Sequence, residues 1–162
     1  MKFVTGMEIR HRFTKTVNEG DHSLFCSLTW NPQPLHINVE KARESGFSGV
    51  LVNGMYTLSL TLGVSVYDLT MEGLIGNLSI DDVHYHAPVE IGDTLSFMTR
   101  ILHVRSSRSR PDREIVTFQH FCFRKRDELV LDCHRTTLMQ SESGQLEEEA
   151  GSKPEAVTLP VL

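Results

Sequence analysis

Four long runs with the two-residue alternation of strands fill the second half of the chain: "LIGNLSIDDVHYHAPV", "DTLSFMTRILHV", "EIVTFQHFCFRK" and "ELVLDCHRTTLM". Between them stand only "EIGD", "RSSRSRPDR" and "RDE", which read as turns. Parallel strands need crossover connections of a dozen residues or more, and none is available here. The runs therefore predict an antiparallel meander, each strand beside the next, in an α+β fold.

The first half carries helical signals. "TVNEGDHSLFCSLTW" offers Thr16 as a cap, with Glu19 and Asp21 in the first turn. Val17, Leu24, Phe25 and Leu28 follow at helical spacing and predict a short amphipathic helix. The proline-stiffened stretch "TWNPQPLHIN" comes next, holding Asn31 and His36. "NVEKARESG" then predicts one or two turns of helix between an Asn38 cap and a Gly46 stop. "YTLSLTLGVSV" fits two patterns at once. Leu58, Leu60, Leu62, Val64 and Val66 alternate as in a strand, while Met55, Leu58, Leu62, Val66 and Leu69 keep the spacing of a helix. Periodicity leaves both readings open.

A chain of 162 residues predicts one compact domain, over residues 1–140, with a flexible acidic tail from 141 to 162. The net charge of -5 comes mostly from that tail, which has five glutamates and one lysine. The body is near neutral and so does not announce the basic face that a nucleic-acid or membrane-surface partner requires, and neither partner is expected. Cys26, Cys122 and Cys133 are odd in number and lack C-x-x-C spacing, as expected of reduced thiols. With no signal-like or membrane-spanning apolar run, the expected location is the cytoplasm.

"NPQPLHINVEKARESGFSGVLVNGM", with "YHAPVEIGDTL" and "SSRSRPDREIVTF" later, resembles the MaoC-like dehydratases and (R)-specific enoyl-CoA hydratases. The resemblance spans about Phe13 to Met139 and implies a hot-dog fold, a curled antiparallel sheet around one long helix. It assigns Asn53 to Leu69 to that helix. It implies reversible hydration or dehydration of an acyl-CoA thioester in fatty acid or dicarboxylic acid metabolism. Coenzyme A enters as part of the substrate and no other cofactor is needed. A homodimer is expected, because a lone curled sheet leaves an edge strand open.

Such chemistry needs a proton-transfer group and donors for an enolate oxygen. Histidine, with an unperturbed pKa near neutrality, suits the first task, and His36 stands on the stiff loop. Gly54 matches the family's oxyanion position at the start of the central helix, and Asn53 beside it is expected to bind substrate. Asn31 is the departure, since the hydratases carry a catalytic aspartate five residues before the histidine. An amide has no useful basicity but can orient a water or the imidazole, so Asn31→Asp is expected to raise activity if the position is the base position. Arg108 and Arg110, in the arginine-rich turn, are expected to grip coenzyme A phosphates, the other reading being a solvated turn. His84 and His86 share a strand face, but a third ligand at a telling distance is missing and no metal is expected. Two rival functions stay open: a hot-dog thioesterase, and a thioester-binding protein that has lost its rate.

Overall fold

The computed structural model describes residues 2–125 and 127–141. Nearly all of the expected acidic tail, residues 142–162, lies outside them.

The alternating runs form β3 (Leu74–Tyr85), β4 (Thr94–Ser106), β5 (Arg113–Arg124) and β6 (Glu128–Gln140). Two short pieces precede them, β1 (Glu8–Arg10) and β2 (Lys15–Thr16), and both pair with β4. All pairs are antiparallel, and the strand order is β1-β4-β5-β6-β3. This corrects the expected succession. β4, β5 and β6 form a meander, but β3 skips β4 and pairs with β6 at the opposite edge, Ile80 facing Arg135 and Tyr85 facing Leu131. The segment read as a tight turn is a crossing link. His86 N–H donates to the Val130 carbonyl (2.9 Å), Val52 N–H to Val89 (2.8 Å) and Gly92 N–H to Val17 (2.8 Å). Those bonds carry the chain past the start of the central helix before β4 begins.

Helices α1 (Glu19–Leu28), α2 (Pro34–Ile37), α3 (Val39–Glu44) and α4 (Gly54–Ser65) occupy the first half. The cap of α1 is Asn18, whose side chain accepts from Asp21 N–H, and Thr16 instead lies in β2. Its buried face also differs from the expected one. Leu24 and Leu28 are exposed, and His22 and Cys26, four residues apart, point inward. Asn38 caps α3 as its sequence predicts, and Gly46 follows with φ +92°.

The ambiguous segment is a helix, α4, continued by a π-helical turn over Val66–Thr70. Its strand-like alternation survives in a helix because the small polar residues satisfy themselves. Ser59 Oγ donates to the Met55 carbonyl (2.8 Å), Thr61 Oγ1 to Thr57 (2.8 Å) and Ser65 Oγ to Leu62 (2.7 Å). With their hydroxyls paired to their own helix, Thr61 and Ser65 are fully buried without a polar penalty. Tyr56 and Leu58 pack with Leu95, Phe97, Cys122 and Leu131 of the sheet, while Leu69 packs beyond the helix with Ile101, Val116, Phe118 and Met139. α4 thus lies in the hollow of the sheet. All three cysteines are free and buried. Among the described residues no helix is long and apolar enough to cross a membrane.

Candidate active site

Pro34 opens α2, where a missing N–H costs nothing, and the single turn that follows carries His36. Leu51 meets this turn twice. Its N–H donates to the Leu35 carbonyl (3.0 Å), and its carbonyl lies 2.8 Å from His36 Nδ1. A carbonyl can only accept, so Nδ1 carries the proton and Nε2 keeps its lone pair. Among the described residues Nε2 has no hydrogen-bond partner.

The start of α4 is built around one open donor. Asn53, its cap, accepts from Met55 N–H through Oδ1 (2.9 Å), and its carbonyl accepts from Tyr56 and Thr57 N–H. Its own N–H donates to His22 Nε2 (3.0 Å). Gly54 N–H, between these, has no acceptor among the described residues. A helix start concentrates such unpaired donors and partial positive charge, which suits an oxygen anion.

His36 and Gly54 line the same cleft of about 380 Å³. Phe47, Leu51, Thr57, Tyr85 and Val130 complete an apolar wall with few polar groups, the character of a small-molecule site. Asn53 is 3% exposed and acts on the cleft as the cap of α4, behind Gly54.

Asn31 is elsewhere. It opens on a second groove with Cys26, Ser27, Trp30, Pro32 and Ile37. Its Oδ1 accepts from Gln33 N–H (3.1 Å), an Asx turn that shapes the His36 loop. Arg108 and Arg110 are exposed on the turn between β4 and β5. That turn leads into Arg113, paired with Gln140, whereas the cleft touches Val130 near the other end of β6. At about 3.3 Å per strand residue, the separation is on the order of 30 Å. One chain does not bring these arginines to its own cleft.

Sequence reasoning missed His22, which is 1% exposed, with its ring centroid 6.1 Å from that of His36. Burial holds its pKa below the usual imidazole value, with the neighbouring His36 adding to the effect. It is therefore a neutral acceptor that fixes the Asn53 N–H. The available signal was its spacing of four from Cys26. Tyr85 was missed as well, between two histidines that drew attention to themselves. Those histidines turn toward Asp132, whose Oδ1 lies 2.6 Å from His86 Nε2 and 3.9 Å from His84 Nδ1. Among the described residues no group of three such side chains is arranged to hold a metal ion.

A family model described as "MaoC like domain" matches residues 2–119. The mesaconyl-CoA hydratase of Haloarcula hispanica is 30% identical over 72% of this chain and 32% of its own length. The (R)-specific enoyl-CoA hydratase of Rhodospirillum rubrum is 28% identical over 67% of this chain and 70% of its own. A Mycobacterium tuberculosis structure with a double hot-dog fold superposes with a TM-score of 0.79 at 20% identity, over 96% of this chain and 46% of that one. This chain spans about a third of the length of the mesaconyl-CoA hydratases it matches. With a match over most of its length and a curled sheet around a central helix, the chain belongs to the MaoC-like domain family, with a hot-dog fold.

Proposed function

We propose that this protein adds water reversibly to a 2-enoyl-CoA thioester, and removes it from the 3-hydroxyacyl-CoA, with His36 as the acid and base. One observation carries the reading: a histidine whose Nε2 lone pair and a helix-start glycine whose N–H are unpaired among the described residues line one largely apolar cleft. The relatives named as acyl-CoA hydratases support it.

In the hydration direction a water oxygen bonds to C3 as its proton passes to His36 Nε2. The π pair of the C2–C3 double bond moves toward the thioester, and the resulting enolate oxygen accepts from Gly54 N–H. The imidazolium then returns the proton to C2. The sum is addition of one water, with no change in redox state. His36 does both proton transfers, which removes the need for a second base at position 31. A neutral His22 supports the site by fixing the Asn53 amide next to the oxyanion donor.

Asn31 acts on His36 through the loop. Aspartate would accept the same Gln33 N–H, so Asn31→Asp is expected to keep turnover within a few-fold of wild type. A large gain in crotonyl-CoA hydration would instead mark position 31 as the base position.

β3 ends the sheet with Leu74, Ile75, Leu78 and Ile80 exposed, a surface suited to a second copy of the chain. A coenzyme A phosphate held by Arg108 or Arg110 would then belong to a thioester bound in another copy's cleft.

Product analysis on crotonyl-CoA and mesaconyl-CoA tests the reading. A 3-hydroxyacyl-CoA product is expected. Free coenzyme A would make the protein a thioesterase, and tight binding without turnover would make it a binding protein.

A further inference from the structure

We infer that Tyr85 is a further catalytic residue, its phenolic hydroxyl joining the Gly54 N–H as the second donor to the thioester oxygen. The inference rests on the hydratase reading.

The ring of Tyr85 occupies the space a side chain at position 54 would take. A Cβ added to Gly54 would lie 2.7 Å from Tyr85 Cε1, 2.9 Å from Cζ and 3.2 Å from the hydroxyl oxygen. A side chain at position 54 would displace the tyrosine ring, and the phenol oxygen lies against the first residue of the helix. Both residues line the cleft that holds His36.

The hydroxyl is available. Its one hydrogen-bond partner among the described residues is Met55 Sδ at 3.9 Å, and a thioether is a weak acceptor. An incoming thioester oxygen would be a better one. Tyr85 is 52% exposed, so only partial burial, with a smaller contribution from Cys133, raises the phenol's pKa above its ordinary value. Tyr85 thus stays protonated at neutral pH, as a hydrogen-bond donor and not a proton-transfer acid, and His36 keeps the proton traffic to itself.

The neighbours of Tyr85 explain its aim. On a strand, alternate side chains take opposite faces. His84 and His86 both turn to Asp132, and Asp132 Oδ2 is held in turn by Gln119 Nε2 at 3.1 Å. His86 is hydrogen-bonded to Asp132 and His84 lies near the same carboxylate, so both keep to the outer face and Tyr85 takes the inner one, over the start of α4.

Tyr85→Phe keeps the ring against Gly54 and removes only the oxygen. It is expected to lower kcat for crotonyl-CoA about 10²-fold, the usual worth of one oxyanion donor, with KM nearly unchanged. Equal kcat in wild type and Tyr85→Phe would overturn this inference alone, whereas a wild type without hydratase turnover would overturn the reading beneath it as well. Acetoacetyl-CoA gives a second readout, since its enolate absorbs in the near ultraviolet. Bound wild type is expected to show a stronger enolate band than bound Tyr85→Phe, and equal bands would count against the hydroxyl. A ring that only packs would move neither measurement.

Discussion

His36→Ala is expected to lower the hydration of crotonyl-CoA by about 10²- to 10⁴-fold, the span typical for loss of a positioned proton-transfer group. The effect should sit toward the upper end because one imidazole handles both proton steps. Neither the Asn31 amide nor the neutral, hydrogen-bonded His22 can take over. The fold should survive. His36 is half-buried, and its one tertiary hydrogen bond among the described residues, to the Leu51 carbonyl, has a typical net value of about 1 kcal/mol. Leu51 also keeps its backbone bond to Leu35. His36→Gln separates chemistry from placement, since its amide can still donate toward Leu51 but has no basicity. Both variants should lose turnover alike while their urea midpoints stay near that of wild type. Turnover preserved in His36→Ala would remove the proposed mechanism.

The sequence carried the fold further than the site. Strand identities were legible because β4, β5 and β6 alternate cleanly between buried and partly buried positions. The place of β3 was not. Turn length suggests a hairpin between neighbours, and only the bonds of residues 86–93 to Val130, Val52 and Val17 reveal a link that crosses to the far edge. The α4 segment was ambiguous because threonine and serine are polar by type yet behave as buried residues once their hydroxyls cap carbonyls one turn back.

The site was half legible, for a related reason. His36 and Gly54 sit in local motifs, a proline-framed loop and a helix start, and local motifs can be read along a chain. Tyr85 and His22 matter through contacts with residues roughly 30 positions away, Gly54 and Asn53 respectively, which no spacing announces. Arg108 and Arg110 show the opposite error. Their residue type suits phosphate, but strand length carries them away from the cleft of their own chain.

His120 makes the second large prediction, a loss of stability in mild acid. Four side chains tie the turn after α4 to the sheet: Asp68 Oδ2 lies 2.7 Å from His11 Nδ1, His11 Nε2 lies 2.8 Å from Thr99 Oγ1, and Thr99 Oγ1 lies 2.8 Å from His120 Nδ1. A consistent direction has His11 donating to the Asp68 carboxylate, Thr99 donating to His11, and His120 donating to Thr99. His120 Nε2 is then a buried lone pair with no partner among the described residues. Protonating it would create an unpaired buried donor and a charge near Arg135. Burial first, then Arg135 and His11, push the His120 pKa down to about 3 from an ordinary 6.5. Between those values the unfolded chain binds a proton that the folded one refuses, so stability is full above about pH 6.5 and falls as pH drops toward 3. At about 1.4 kcal/mol per pH unit, the loss from this residue is about 2 kcal/mol by pH 5 and on the order of 5 kcal/mol by pH 3. His120→Gln can still donate to Thr99 but does not titrate. Urea unfolding near pH 7 and again near pH 5 should show wild type losing about 2 kcal/mol more than the variant between the two conditions. Equal losses would mean that His120 accepts its proton without opening the fold, and the chain from Asp68 to His120 would then be no barrier to charge in the core.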